Sequence, residues 1–106
     1  MNNHQKIYII EDDETVLSLL KEYLSQNYHI NTVSNFRDIK KEVTSWKPDL
    51  ILMDLKLPFF NGFYWTTEIR KNLTTPIILF LVVMMKWIWS WHLTWVAMIL
   101  FQNHFL

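Results

Sequence analysis

Short apolar runs rich in β-branched residues alternate with stretches of helical periodicity through the first three quarters of this chain. That alternation is the strongest constraint on its fold. Lys6 to Ile10 (KIYII) reads as a buried strand that ends in acids. Glu14 to Gln26 follows with Val16, Leu17, Leu19, Leu20, Tyr23 and Leu24 on an amphipathic helical stripe. Tyr28 to Val33 is a second strand, and Ser34 or Asn35 can cap a helix that runs to about Trp46, with Phe36, Ile39 and Val43 inward. Pro48 closes it before a third apolar strand, Asp49 to Met53 (DLILM). The loop LKLPFFNG then leads into a helix from about Phe63 to Lys71, and Thr75 to about Phe80 begins a fourth strand.

Strands and helices joined by short connections predict an α/β domain, a doubly wound parallel sheet covered on both faces. Such sheets place their sites beyond the carboxyl ends of the strands. There the chain carries Glu11, Asp12 and Asp54. At 106 residues there is room for one domain with one core. The formal net charge is zero, so nothing points to a nucleic-acid-binding surface. The chain has no cysteine, which excludes disulfides, thiolate nucleophiles and cysteine zinc sites and fits a reducing cytoplasm. The opening MNNHQKIYIIEDD lacks the apolar core of a signal peptide. A single glycine, Gly62, leaves no glycine-rich loop to cradle a nucleotide.

Acids in the first turn of a helix, such as those of Glu11-Asp12-Asp13-Glu14, interact favourably with its dipole and often mean nothing more. Asp54 alone could be a turn residue. The ends of the first and third strands are neighbours in a parallel sheet, however, and carboxylates converging there repel unless a cation sits between them. Hard oxygen ligands suit Mg²⁺. A carboxylate held beside Mg²⁺ can attack a phosphoryl group and form an aspartyl phosphate.

The segments IIEDD and Asp54-Leu-Lys-Leu-Pro-Phe-Phe-Asn-Gly62, some forty residues apart, resemble the receiver domains of bacterial two-component response regulators. The resemblance implies a flavodoxin-like fold, with Asp54 as phosphoacceptor and a sensor histidine kinase as donor. It makes Asp12 a direct Mg²⁺ ligand, Glu11 a ligand through water, and the Lys56 backbone carbonyl a further ligand. Asp13 falls outside the pair as helix entry, and Pro58 and Gly62 shape the loop. Phe63-Tyr64-Trp65 after Gly62 is similar to winged-helix-type regulators that respond to bacitracin and antimicrobial peptides. The module implied is a signalling one, not a turnover enzyme. A Mg²⁺-dependent phosphatase would want a second aspartate two residues after Asp54, where Lys56 stands. His4, His29, His92 and His104 show no metal-ligand spacing, and the sequon at Asn72 has no secretion signal behind it. Trp46 and Trp65 read as core or half-buried residues.

The remainder has a different composition. All ten acidic residues lie between Glu11 and Glu68, and from Ile77 to Leu106 the one charged residue is Lys86. Four of the six tryptophans fall between Trp87 and Trp95. The resemblance implies three later features: a Ser or Thr at the end of the fourth strand, an acidic-glycine segment, and Lys-Pro on a fifth strand. None is present, and Lys86 in Met-Lys-Trp is a poor substitute.

Met and Trp have one codon each, so the DNA behind this stretch is partly known. Reading codons from the third base turns Met84-Met85 into Asp, Met85-Lys86 into Glu, Trp87-Ile88 into Asp, Trp91-His92 into Ala, Trp95-Val96 into Gly and Met98-Ile99 into Asp. From the Ile78/Leu79 junction the whole tail permits F-L-S-S-R-D-D-E-M-D-M-V-M-A-F-N-M-G-G-D-D-F-I-S-K-P-F-S, which contains all three features. The second-base frame meets a stop at Met84-Met85.

The expectation is a partial receiver domain over residues 1–78, incomplete at its C-terminus, and an aberrant hydrophobic tail over 79–106 produced by a frameshift. The DNA-binding output domain expected of such a regulator is absent, and this product should signal poorly. The alternative is a membrane-tethered interaction protein, since Pro76 to Phe101 is long enough to cross a bilayer as a helix. A buried core helix is disfavoured by apolar residues on every face.

Overall fold

The computed structural model of the chain describes the backbone of residues 5–89 and 92–104 and the side chains of residues 5–82. Eight elements follow one another: β1 (Lys6–Ile10), α1 (Glu14–Leu24), β2 (His29–Thr32), α2 (Ile39–Trp46), β3 (Leu50–Asp54), α3 (Gly62–Arg70), β4 (Ile77–Trp89) and β5 (His92–His104). They build one sheet in the order β2-β1-β3-β4-β5. The first four strands are parallel, and β5 runs antiparallel to β4. The doubly wound parallel sheet expected from the alternation is therefore formed by β1 to β4.

The connection from β1 to β2 steps one way along the sheet, and those from β2 to β3 and β3 to β4 step the other way. Right-handed crossovers put α1 on one face and α2 and α3 on the opposite face. The core sits on the two-helix face. Tyr8, Ile10, Ile51, Met53, Ile77 and Leu79 from the strands pack with Ile39 and Val43 of α2 and Trp65 and Ile69 of α3. On the α1 face Ile7 and Ile9 are buried, but Leu50, Leu52 and Ile78 are only half-buried.

Three boundaries depart from the sequence reading. The α1 stripe is broader in sequence than in space: none of its residues is fully buried, and Leu19 and Tyr23 face solvent at 63% and 73% exposure. With α1 alone over its part of the sheet, the inward arc is narrower than the apolar arc. Helix α2 begins at Ile39, several residues after the expected cap. Asn35 instead folds its side chain onto the Arg37 amide, and the Glu42 carboxylate accepts the Ser34 and Asn35 amides at 2.9 and 2.7 Å. These bonds hold the segment as a loop. The helix ends as expected before Pro48, through Lys47 in the left-handed region.

The third departure concerns the tail. Among the described residues no membrane helix, the alternative reading, forms over 76–101; residues 77–89 and 92–104 are strands. No helix among the described residues is long and apolar enough to cross a membrane. The run begins in register with the open edge of β3, from Ile51↔Ile77 to Asp54↔Phe80, and β-branched residues then extend the strand.

Candidate functional site

Parallel pairing of β1 with β3, Ile10 opposite Met53, brings the residues at their carboxyl ends side by side. Glu11 and Asp54 are both nearly buried, at 3% and 6% exposure, and Asp12 is exposed beside them. One carboxylate oxygen from each of Glu11, Asp12 and Asp54 can be chosen so that all lie within 4.8 Å of one another. They line a cavity of about 300 Å³ with Asp13, Val16, Lys56, Leu81 and Val82. The four residues singled out in the sequence, Glu11, Asp12, Asp54 and Lys56, thus meet in one pocket. Val16, Leu81 and Val82 were not anticipated. Their only signal is position, one turn into α1 and just past the register of β4 with β3.

Local geometry holds the acids in place. The Asp13 side chain caps α1 by accepting the Thr15 and Val16 amides at 2.9 and 3.1 Å. The Asp13 amide donates to Glu11 Oε2 at 3.0 Å, while Glu11 Oε1 is buried with no hydrogen-bond partner. The Lys56 amide donates to Asp54 Oδ1 at 3.2 Å. After Pro58 the backbone turns through Phe59 in the left-handed region, and the Gly62 amide returns to the Leu55 carbonyl at 3.0 Å. A Cβ on Gly62 would stand 2.5 Å from the Asp54 carbonyl oxygen, so this approach requires glycine. Asn61 then caps α3 through the Tyr64 amide at 2.9 Å.

The acids perturb one another. Burial, first of all, drives the Glu11 carboxyl up to about 8; the Asp13 amide opposes this, and the Asp54 and Asp12 charges reinforce it. Burial also raises Asp54, offset by its hydrogen bonds to Glu11 and the Lys56 amide. Without a cation, burial therefore favours the protonated form of the Glu11 carboxyl. A divalent cation would replace that proton and give the unpartnered Glu11 oxygen a counter-charge, so the donor set fits a hard metal ion.

Other candidates stay apart from this pocket. His29 packs edge-on against Trp46, with centroids 5.5 Å apart, and Asn72 is exposed beyond α3. His4 lies outside the described residues, as do the side chains of Lys86, His92 and His104. Trp46 is half-buried and Trp65 is 4% exposed, as expected.

A doubly wound parallel sheet with an acidic cluster at the carboxyl ends of its strands defines the class of flavodoxin-like α/β domains. Within that class, residues 7–84 match the family of the response regulator receiver domain, and the chain belongs to that family. It is 50% identical over 74 residues to the sensory transduction protein BceR of Halalkalibacterium halodurans, covering 69% of this chain and 32% of that protein. The chain thus spans about a third of the length of this curated relative. The N-terminal domain of the nisin resistance regulator NsrR, a lantibiotic response regulator, superposes with a TM-score of 0.67 at 64% identity, covering 71% of this chain and 64% of that one. A complex of the histidine kinase ThkA with the response regulator TrrA is also similar, with a TM-score of 0.63 at 32% identity over 71% of this chain and 66% of that one.

Proposed function

We propose that the chain is the phosphoryl-accepting module of a two-component phosphorelay, with Asp54 as the acceptor and Mg²⁺ as cofactor. The observation that carries this reading is the convergence of Glu11, Asp12 and Asp54 around a buried, unpartnered carboxylate oxygen. Asp12, Asp54 and the Lys56 backbone carbonyl would hold the ion directly, and Glu11 would hold it through water. When bound, the ion neutralises charge on the phosphoryl oxygens.

Asp54 supplies the nucleophile. One of its oxygens forms a bond to phosphorus as the phosphorus–nitrogen bond of a kinase phosphohistidine breaks. The imidazole nitrogen leaves with the electron pair and takes a proton from solvent. Phosphoryl transfer asks mainly for positioning and charge stabilisation. Accordingly, the Lys56 amide orients Asp54, and the Pro58–Gly62 turn fixes the end of β3. Support for a histidine kinase as partner comes from the similarity to a regulator solved with one. The likeness to the nisin resistance regulator, a lantibiotic response regulator, favours a lantibiotic-type peptide as the upstream stimulus. A cytoplasmic location, a non-enzymatic role and the absence of DNA binding by this chain belong to the same reading.

Incubation with acetyl phosphate and Mg²⁺, read by intact-protein mass and peptide mapping, tests it. The expected product is an aspartyl phosphate on Asp54, present in a minority of molecules, absent after chelation and absent in Asp54→Asn. A label that persists in Asp54→Asn, or that forms equally well in chelator, would sink the assignment.

A further inference from the structure

We propose that the chain from residue 79 onward is the second half of this same domain read one frame out of register, and that the apolar side chains β4 presents to the acidic pocket, Leu81 and Val82, are products of that shift. The family match ends at residue 84, and the alignment to the 50% identical relative covers only 74 residues. The structure places the break in the same region. Strand β4 pairs with β3 only from Ile77 to Phe80; beyond that point its described partner is β5. β1, β2 and β3 are 5, 4 and 5 residues long, whereas β4 and β5 are 13 each. Residues 81–89 and 92–100 therefore form a two-stranded ribbon with no third strand beside it among the described residues, an arrangement marginal in water.

The pocket makes the same point in chemical terms. Leu81 and Val82 join Val16 in lining a cavity otherwise built around Glu11, Asp12, Asp13, Asp54 and Lys56. In the third-base frame the codons across these two positions permit Leu81→Ser and Val82→Ser. Hydroxyls at the same backbone positions would face carboxylates that alkyl groups cannot solvate. Farther along, the residues that Met and Trp codons force in that frame are Asp, Glu, Asp, Ala, Gly and Asp. The acidic character missing from residues 77–106 thus returns without any choice among synonymous codons. The inference does not depend on whether Asp54 accepts a phosphoryl group, because the DNA alone decides it.

The test is the nucleotide sequence of codons 74–106, read from fresh genomic DNA. Two results are expected of the proposal: a one-base difference that joins Ile78 to the third-base frame, or unchanged DNA whose third-base frame encodes the Ser-Ser, Gly-Gly-Asp-Asp and Lys-Pro-Phe segments. The first identifies an error in the sequence, and the second a lesion in the gene. A third-base frame interrupted by stops, or one that encodes none of those segments, overturns the proposal.

Discussion

Glu11 carries the clearest consequence at the scale of single residues. Its carboxyl is raised from the ordinary value of 4.5 to about 8, so between those values the folded state binds more protons than the unfolded one. Stability must then fall as pH rises across that window in the absence of a divalent cation. Saturating Mg²⁺ should flatten the fall by replacing the proton, and Glu11→Gln should remove most of it. Thermal unfolding at pH 5 and pH 8, with and without Mg²⁺, checks this; equal melting temperatures in chelator would show that the pair is not strained. Gly62 gives a second prediction. A methyl there meets the Asp54 carbonyl oxygen and the Leu55 Cα at 2.5 and 3.1 Å, both backbone atoms that cannot rotate away. Gly62→Ala should cost about 1–3 kcal/mol in urea unfolding, the usual range for overpacking. An unchanged midpoint would mean that the turn yields freely. Both residues were legible in the sequence, Glu11 through its place after an apolar strand and Gly62 as the chain's one glycine. The buried orphan oxygen could not be read there, because it arises from β1 lying beside β3, far away in sequence. Nor could the size of the close approach at Gly62, which depends on how the loop folds back onto Asp54 and Leu55.

At the scale of elements, the two faces of the sheet differ in how completely they are covered. Ile69 of α3 is fully buried in the two-helix core, while Leu19 of α1 is 63% exposed. Ile69→Ala should destabilise by about 2–4 kcal/mol and Leu19→Ala by no more than about 0.5 kcal/mol, although both are aliphatic residues on helices. Chemical denaturation of the two variants separates them; equal losses would place α1 deeper than the structure does. Periodicity identified α1, but it measures how apolar an arc is and not how much of that arc finds a neighbour. The start of α2 was misread for a related reason. Asn35 has the chemistry of a cap, yet Glu42 reaches back to the Ser34 and Asn35 amides and also accepts the Tyr8 hydroxyl at 2.6 Å. That network binds α2 to β1, and local capping preference yields to it.

The whole molecule joins an ordinary half-sheet to an apolar ribbon. Unpaired strand edges and contiguous apolar residues promote association. This chain should therefore elute as aggregate in size-exclusion chromatography at micromolar concentration, while a chain carrying the third-base reading from residue 79 should elute as a discrete species. A monodisperse monomer for the chain as it stands would contradict that expectation. The sequence by itself determined the order of strands and helices through β4, because short apolar runs and helical stripes report burial locally. It also determined which acids flank the strand ends and where the composition breaks. Only the tertiary structure decided that Glu11 keeps an unpartnered buried oxygen, that α1 covers its face incompletely, and that Leu81 and Val82 wall the acidic pocket. Each of these depends on which strand lies beside which, and parallel pairing joins residues that no local pattern connects.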